Sequence, residues 1–144
     1  MVKKDKTVKS KANALVKIVL EKQAVKPIVM DIRGMSSLCD FFVICSGETG
    51  RQVQAIYQNI LDRAPQENLT VHHSEADEGF SWVLVDLFDI VVHIFTNEAR
   101  AYYNLEYLWR DAKTVASSRA GRKKSAKSGR RKKVAVKSHV HRHR

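Results

Sequence analysis

The chain has 144 residues, 44% of them hydrophobic, which is enough for one domain with its own core and too few for two. Its two cysteines, Cys39 and Cys45, are too few for a disulfide framework and suit a reducing compartment, and no apolar run approaches the ~18 residues of a membrane span. The net charge of +11 lies at the ends: residues 1–11 carry five Lys and one Asp, residues 12–113 carry 9 basic and 14 acidic side chains, and residues 114–144 carry 12 basic and no acidic ones, so the central domain is not a basic nucleic-acid binder.

The N-terminus has charge but no separate apolar core with a cleavage site. It is rich in Lys rather than Arg and contains Asp5, so neither a signal peptide nor an organelle transit peptide is expected, and the cytosol is the default. In "TVKSKANALVKIVLEKQA", residues 7–24, Val8, Ala12, Leu15, Val16 and Val19 recur at helical spacing, which predicts an amphipathic helix ending before Pro27. "PIVMDIR" reads as a strand with Pro27 in first position, where no ladder donor is lost. After the loop "GMSSLCD", "FFVICSG" reads as a second, fully apolar strand.

Thr49, with Gln52 three residues later, predicts a capping box that opens a helix closed by Pro65. Between them Val53, Ile56, Tyr57, Ile60 and Leu61 mark one helical face. A short strand at "LTVHHS", an acidic loop "EADEG" and the hairpin "SWVLVDLFDIVVHIF" follow. "NEARAYYNLEYLWRDAK" then reads as one helix with Ala101, Leu105, Leu108 and Ala112 inward and Glu106 paired with Arg110 four residues on. The pattern predicts an α/β domain, residues 1–113, with a mixed sheet of about five strands packed with helices. Residues 114–144 form a basic tail almost without large apolar side chains, and disorder is expected there.

The hairpin is the informative segment. With its turn at Phe88–Asp89, one face carries Val83, Val85, Leu87, Ile90, Val92 and Ile94, a purely aliphatic set. The other carries Trp82, Leu84, Asp86, Val91, His93 and Phe95, and there Asp86 and His93 are diagonal neighbours. Three readings fit such a face. One is an Asp86–His93 catalytic pair, with Ser46 or Cys45 as nucleophile, although neither stands in a nucleophile elbow. A second is a histidine and a carboxylate satisfying each other on a partly covered sheet. The third is a docking surface anchored by Trp82. A metal site from His72, His73, His93 and the cysteines fits poorly, because adjacent histidines on a strand point to opposite faces. "SGETG" has the wrong length for a Walker phosphate loop. Asp86 and Asp89 diverge, as a strand residue and a turn residue.

"DIRGMSSLCDFFVICSGETGRQVQAI", "WVLVDLFDIVVHIF" and "EARAYYNLEYLWRDA", in that order, resemble the ribosomal silencing factor family, also called the iojap family. The likeness spans about residues 10–113. It implies a nucleotidyltransferase-like architecture without catalytic residues, and a function without catalysis or cofactor. It implies binding to the large ribosomal subunit through ribosomal protein fourteen, blockade of joining to the small subunit, and repression of translation. Large-subunit assembly is the alternative that the organellar relatives suggest, and an enzyme using Asp86 and His93 is the third. The resemblance also implies a homodimer when free. It places partner binding on Trp82, Asp86, Tyr103 and Leu105, with Glu75 in the acidic stretch that would meet a basic partner, and His93 in structural support of Asp86. Leu105 also falls on the inner stripe of its helix, so core packing competes for it. Two departures stand out: Phe88 occupies a position where the family usually has Gly, which suggests a different turn, and the tail is polybasic. Lys123, Lys124, Arg130, Arg131, Lys132 and Lys133 in that tail are the candidates for contact with ribosomal RNA.

Overall fold

The computed structural model describes residues 3–117. Its first helix, α1 (Lys3–Leu20), buries Ala12, Leu15, Ile18 and Val19 in one stripe. The helix ends before Pro27, as expected, and its last residue is Leu20. Gln23 adopts a left-handed φ of 60°, its N–H donates to the Leu20 carbonyl at 2.8 Å, and the Ala24 N–H donates to the Val19 carbonyl at 3.1 Å. That double closure is a Schellman cap, which satisfies the last carbonyls and turns the chain into the sheet.

Strand β1 (Val25–Asp31) begins two residues before Pro27, and the proline falls in a bulge between Val25 and Ile28. Its missing N–H therefore costs no ladder bond, the physical reason foreseen at a different position. Strand β2 (Phe41–Gly47) follows, then α2 (Gly50–Arg63). Thr49 caps α2, its Oγ1 accepting from the Gln52 N–H at 3.1 Å. The return bond differs from the usual box: Gln52 Oε1 accepts from the Glu48 N–H at 2.7 Å, while its amide donates to the Lys22 and Gln23 carbonyls. One side chain thus ties the start of α2 to the end of α1.

A 3₁₀ turn at Ala64–Glu67 leads through buried Leu69 to β3 (His73–Ala76), which starts four residues later than the predicted strand. Strands β4 (Trp82–Asp86) and β5 (Ile90–Thr96) form the hairpin in the expected register, Asp86 facing Val91, Leu84 facing His93 and Trp82 facing Phe95. Phe88 adopts φ 69°, the left-handed conformation that suits glycine, and the Leu87 N–H still closes on the Ile90 carbonyl at 2.8 Å. Phenylalanine in place of glycine therefore does not shift the register.

The predicted last helix is broken. It forms α3 (Asn97–Tyr103) and a single turn α4 (Leu105–Leu108), separated by Asn104 at φ 45°. Asparagine is among the few residues that enter this region readily, and here it caps α3. The break rotates the expected inner stripe: Ala101 and Leu108 are exposed, Ala99 is buried, and only Leu105 and Ala112 pack inward. A sixth strand, β6 (Lys113–Ser117), then pairs with β1, so the sheet extends four residues beyond the expected domain end and has one strand more than expected.

The strand order is β3-β4-β5-β2-β1-β6, with β2 and β5 parallel and the other neighbours antiparallel. α1 and α2 cover one face over Phe41, Val43, Val83, Val85, Val92 and Ile94. α3 and α4 cover part of the other, over Met30, Ile44 and Phe95. That second face is left only partly covered on its β4 side.

Candidate docking face

The partly covered face is built by strand parity. From β4 it takes Trp82, Leu84 and Asp86, from β5 Val91, His93 and Phe95, and from β2 Phe42 and Ile44. β3 adds His73 and Glu75, directly opposite Asp86 and Leu84, and the two form a surface pair at 2.9 Å. Trp82 is half-buried at the centre. Its ring lies 4.5 Å from Tyr103 and 5.1 Å from Phe95, centroid to centroid. Phe42 extends the aromatic row, edge-on to His93 at 4.8 Å and to Trp109 at 5.3 Å. Neither Phe42 nor Trp109 is among the site residues expected from the sequence. The parity of Phe42 within "FFVICSG" carried the signal, but a strand apolar on both faces hides it.

The acidic loop before Trp82 is organised rather than simply charged. Both oxygens of Asp77 face the chain end that leads into β4: Oδ1 accepts from the Ser81 N–H at 2.8 Å and the Trp82 N–H at 3.0 Å, and Oδ2 accepts from the Ser81 hydroxyl. Burial pushes this carboxyl up, but the hydrogen bonds from Ser81 and Trp82 outweigh it and hold the group below its usual range. Asp77 thus fixes where Trp82 enters the sheet.

Asp86 and His93 are not partners. Asp86 Oδ1 accepts from the Phe88 N–H at 2.8 Å, an Asx turn that stabilises the left-handed residue. His93 Nδ1 instead accepts from Trp82 Nε1–H at 3.1 Å. An indole N–H only donates, so Nδ1 is unprotonated and the imidazole proton sits on Nε2. Burial pushes the His93 pKa down to about 4. The expected support of Asp86 by His93 is therefore corrected: His93 supports Trp82, and the turn backbone holds Asp86. The diagonal in the register was right, but each side chain found a nearer partner.

Tyr103 stands at the end of α3 beside Trp82, and Leu105 packs against the second core from α4 while remaining half-buried. Arg100 clamps both short helices to the sheet. Its guanidinium is bidentate to Glu106 at 3.1 and 3.0 Å, and Nη1 also reaches the Val25 carbonyl and Ser46 Oγ. Glu106 thus pairs across the helix break, not with Arg110, which lies over the Tyr107 ring at 4.1 Å. The tail positions Lys123, Lys124, Arg130, Arg131, Lys132 and Lys133 lie outside the described residues.

The family model described as "Ribosomal silencing factor during starvation" matches residues 5–142. The chain belongs to the ribosomal silencing factor family. Ribosomal silencing factors from Halalkalibacterium halodurans and Bacillus subtilis are 43% and 45% identical over 95 and 92 residues, which cover 66% and 64% of this chain and 81% and 78% of theirs. The chloroplastic Iojap protein of Zea mays is 31% identical over 104 residues, covering 72% of this chain and 45% of that one. Among solved structures, a crystal structure of a Bacillus halodurans protein superposes with a TM-score of 0.66 at 38% identity, covering 75% of this chain and 98% of the other. A Chromobacterium violaceum protein gives the same TM-score at 25% identity, covering 79% of this chain and 95% of the other.

As a member of this family the chain is tied to the ribosome and to translation control, and its best nucleophile candidates are ill placed for catalysis. Cys45 lies in the opposite core, where burial pushes its thiol up to about 12. Ser46 Oγ is buried, accepting from Arg100 at 3.2 Å and donating to the Val25 carbonyl. Among the described residues no three His, Cys, Asp or Glu side chains converge as a metal site requires.

Proposed function

We propose that this chain docks on the large ribosomal subunit with its partly covered sheet face and thereby keeps the small subunit from joining, lowering translation. Ribosomal protein fourteen, a basic protein, is the partner. The observation that carries the reading is the half-buried pair Tyr103 and Trp82, packed on fully buried Phe95 beside the exposed Glu75, on a domain whose residues 12–113 have an acidic excess. Half-buried aromatics held in a fixed geometry are the usual energetic centre of an interface, and acidic rims steer basic partners. Leu105 adds apolar surface next to Tyr103. Asp86 contributes through the turn that it shapes rather than as a free carboxylate.

Co-sedimentation with separated ribosomal subunits tests this. Wild type pellets with the large subunit alone, and Trp82→Ala loses on the order of 2 kcal/mol of binding, about 30-fold in affinity, while melting as a folded protein. Equal binding by wild type and Trp82→Ala would remove this face from the interface. A subunit-joining assay then separates blockade from simple attachment.

A further inference from the structure

The docking reading gives Trp82 its role but leaves His93 without one. His93 is buried in the middle of β5, between Leu84 of β4 and Ile44 of β2. Its ring is braced on two sides, edge-on to Phe42 at 4.8 Å and within 10° of parallel to Phe95 at 6.1 Å. Its Nε2 has no hydrogen-bond partner among the described residues. As core filling, an imidazole is a poor choice here, since leucine has similar volume and no polar atom to bury. What imidazole adds is the acceptor at Nδ1, and the Trp82 indole N–H donates to it at 3.1 Å.

An indole packed against Phe95 and Tyr103 can still rotate about its side-chain torsions, and its only donor must be satisfied or turned out to water. One bond to a braced acceptor removes both freedoms. We propose that His93 is a positioning residue of the docking face, a fixed Nδ1 acceptor that holds the Trp82 indole in its binding orientation before the partner arrives. This rests on the docking reading and adds to it a residue that never touches the partner. Preorganisation of this kind lowers the ordering cost of association, so its loss weakens binding without removing any contact.

The test uses the full chain and purified large ribosomal subunits, comparing wild type, Trp82→Ala, His93→Leu and His93→Asn. Asparagine places its amide oxygen close to where Nδ1 sits, whereas leucine fills the space and cannot accept. Positioning predicts that His93→Leu stays folded but binds about 10-fold more weakly, and that His93→Asn binds within about 3-fold of wild type. Wild-type affinity for His93→Leu, with Trp82→Ala weakened, overturns the positioning role and leaves the docking face standing. Wild-type affinity for all three variants overturns the docking face, and positioning falls with it. If His93→Leu does not fold, the Trp82 indole proton, assigned by NMR, decides. A resonance moved downfield and slow to exchange in wild type and His93→Asn sustains the bond, and rapid exchange in wild type overturns it.

Discussion

His93 carries a measurable consequence in acid. Its folded pKa, pushed down to about 4 by burial, lies below the ordinary 6.5, so the folded chain refuses a proton that the unfolded chain accepts. The unfolded state binds more protons throughout that window, so stability is fully present above pH 6.5 and is lost as pH falls toward 4. The loss at the bottom of the window amounts to about 3 kcal/mol as an upper value. Urea unfolding at pH 7, 5.5 and 4.5 should show this slope in wild type and a flatter one in His93→Asn. Equal slopes would show that His93 does not titrate as its burial dictates. Glu21 acts lower down: hydrogen bonds from Arg63 and then Asn59 hold it near 2, so its contribution is lost only as pH falls from 4.5. Phe88 offers a second single-residue test. A non-glycine residue at φ 69° is strained by about 1–2 kcal/mol, offset in part by its Asx turn and its ring contact with His72 at 4.1 Å. Phe88→Gly should therefore stabilise the chain by about 0.5 kcal/mol after the added freedom of unfolded glycine is deducted, read as a higher urea midpoint. At this scale the sequence told which face each side chain occupies but not its partner. Parity places Asp86, His93 and Trp82 together, whereas the choice among nearby donors depends on distances of a few tenths of an ångström.

Elements were legible where one physical signal dominated. The β4–β5 register follows from an aliphatic set that tolerates only one facing, and α2 from a cap followed by an apolar stripe. The break at Asn104 was hidden because Glu106 stands four residues before Arg110, the spacing of a continuous helix, whereas Arg100, six residues back, comes within reach only once the helix is broken. β6 was hidden because it is short and its residues carry little periodic signal, while what holds it is pairing to β1. Contacts between elements far apart in the chain were out of reach, and one of them concerns Gly50. A Cβ added there would overlap the Gly79 carbonyl oxygen, in the loop that delivers Trp82 to β4. That neighbour is backbone and cannot swing away, so Gly50→Ala should destabilise by about 2 kcal/mol, whereas the same change in an ordinary helix start is nearly neutral. Thermal melting gives the magnitude, and Trp82 fluorescence reports whether the loop has moved. An unchanged melting temperature would mean that the two segments are not in contact.

The whole molecule divides its charge as an acidic domain flanked by basic ends, with 12 basic and no acidic side chains between residues 118 and 144. On the proposed docking, the two parts would meet a basic protein surface and phosphate respectively. An acidic domain is steered to the first and repelled by the second, while a basic tail has the opposite preference. The tail starts beyond β6 at one sheet edge, and β3 with Glu75 forms the other edge, five strand spacings or about 24 Å away. On the proposed docking, the acidic rim at Glu75 and the tail would therefore meet different parts of the ribosome. Their contributions differ in salt dependence: a tryptophan-centred contact responds little to added salt, whereas each neutralised phosphate adds about 0.7–0.9 to the slope of log affinity against log salt. Deleting residues 118–144, which leaves β6 intact, should flatten that slope by about 4–5 if half of the tail charges engage. Affinity should then fall steeply at low salt and converge with wild type at high salt, while Trp82→Ala weakens binding by a similar factor at every salt. A deletion that leaves the slope unchanged would confine binding to the folded domain, and one that abolishes binding at high salt would place the specific contact in the tail.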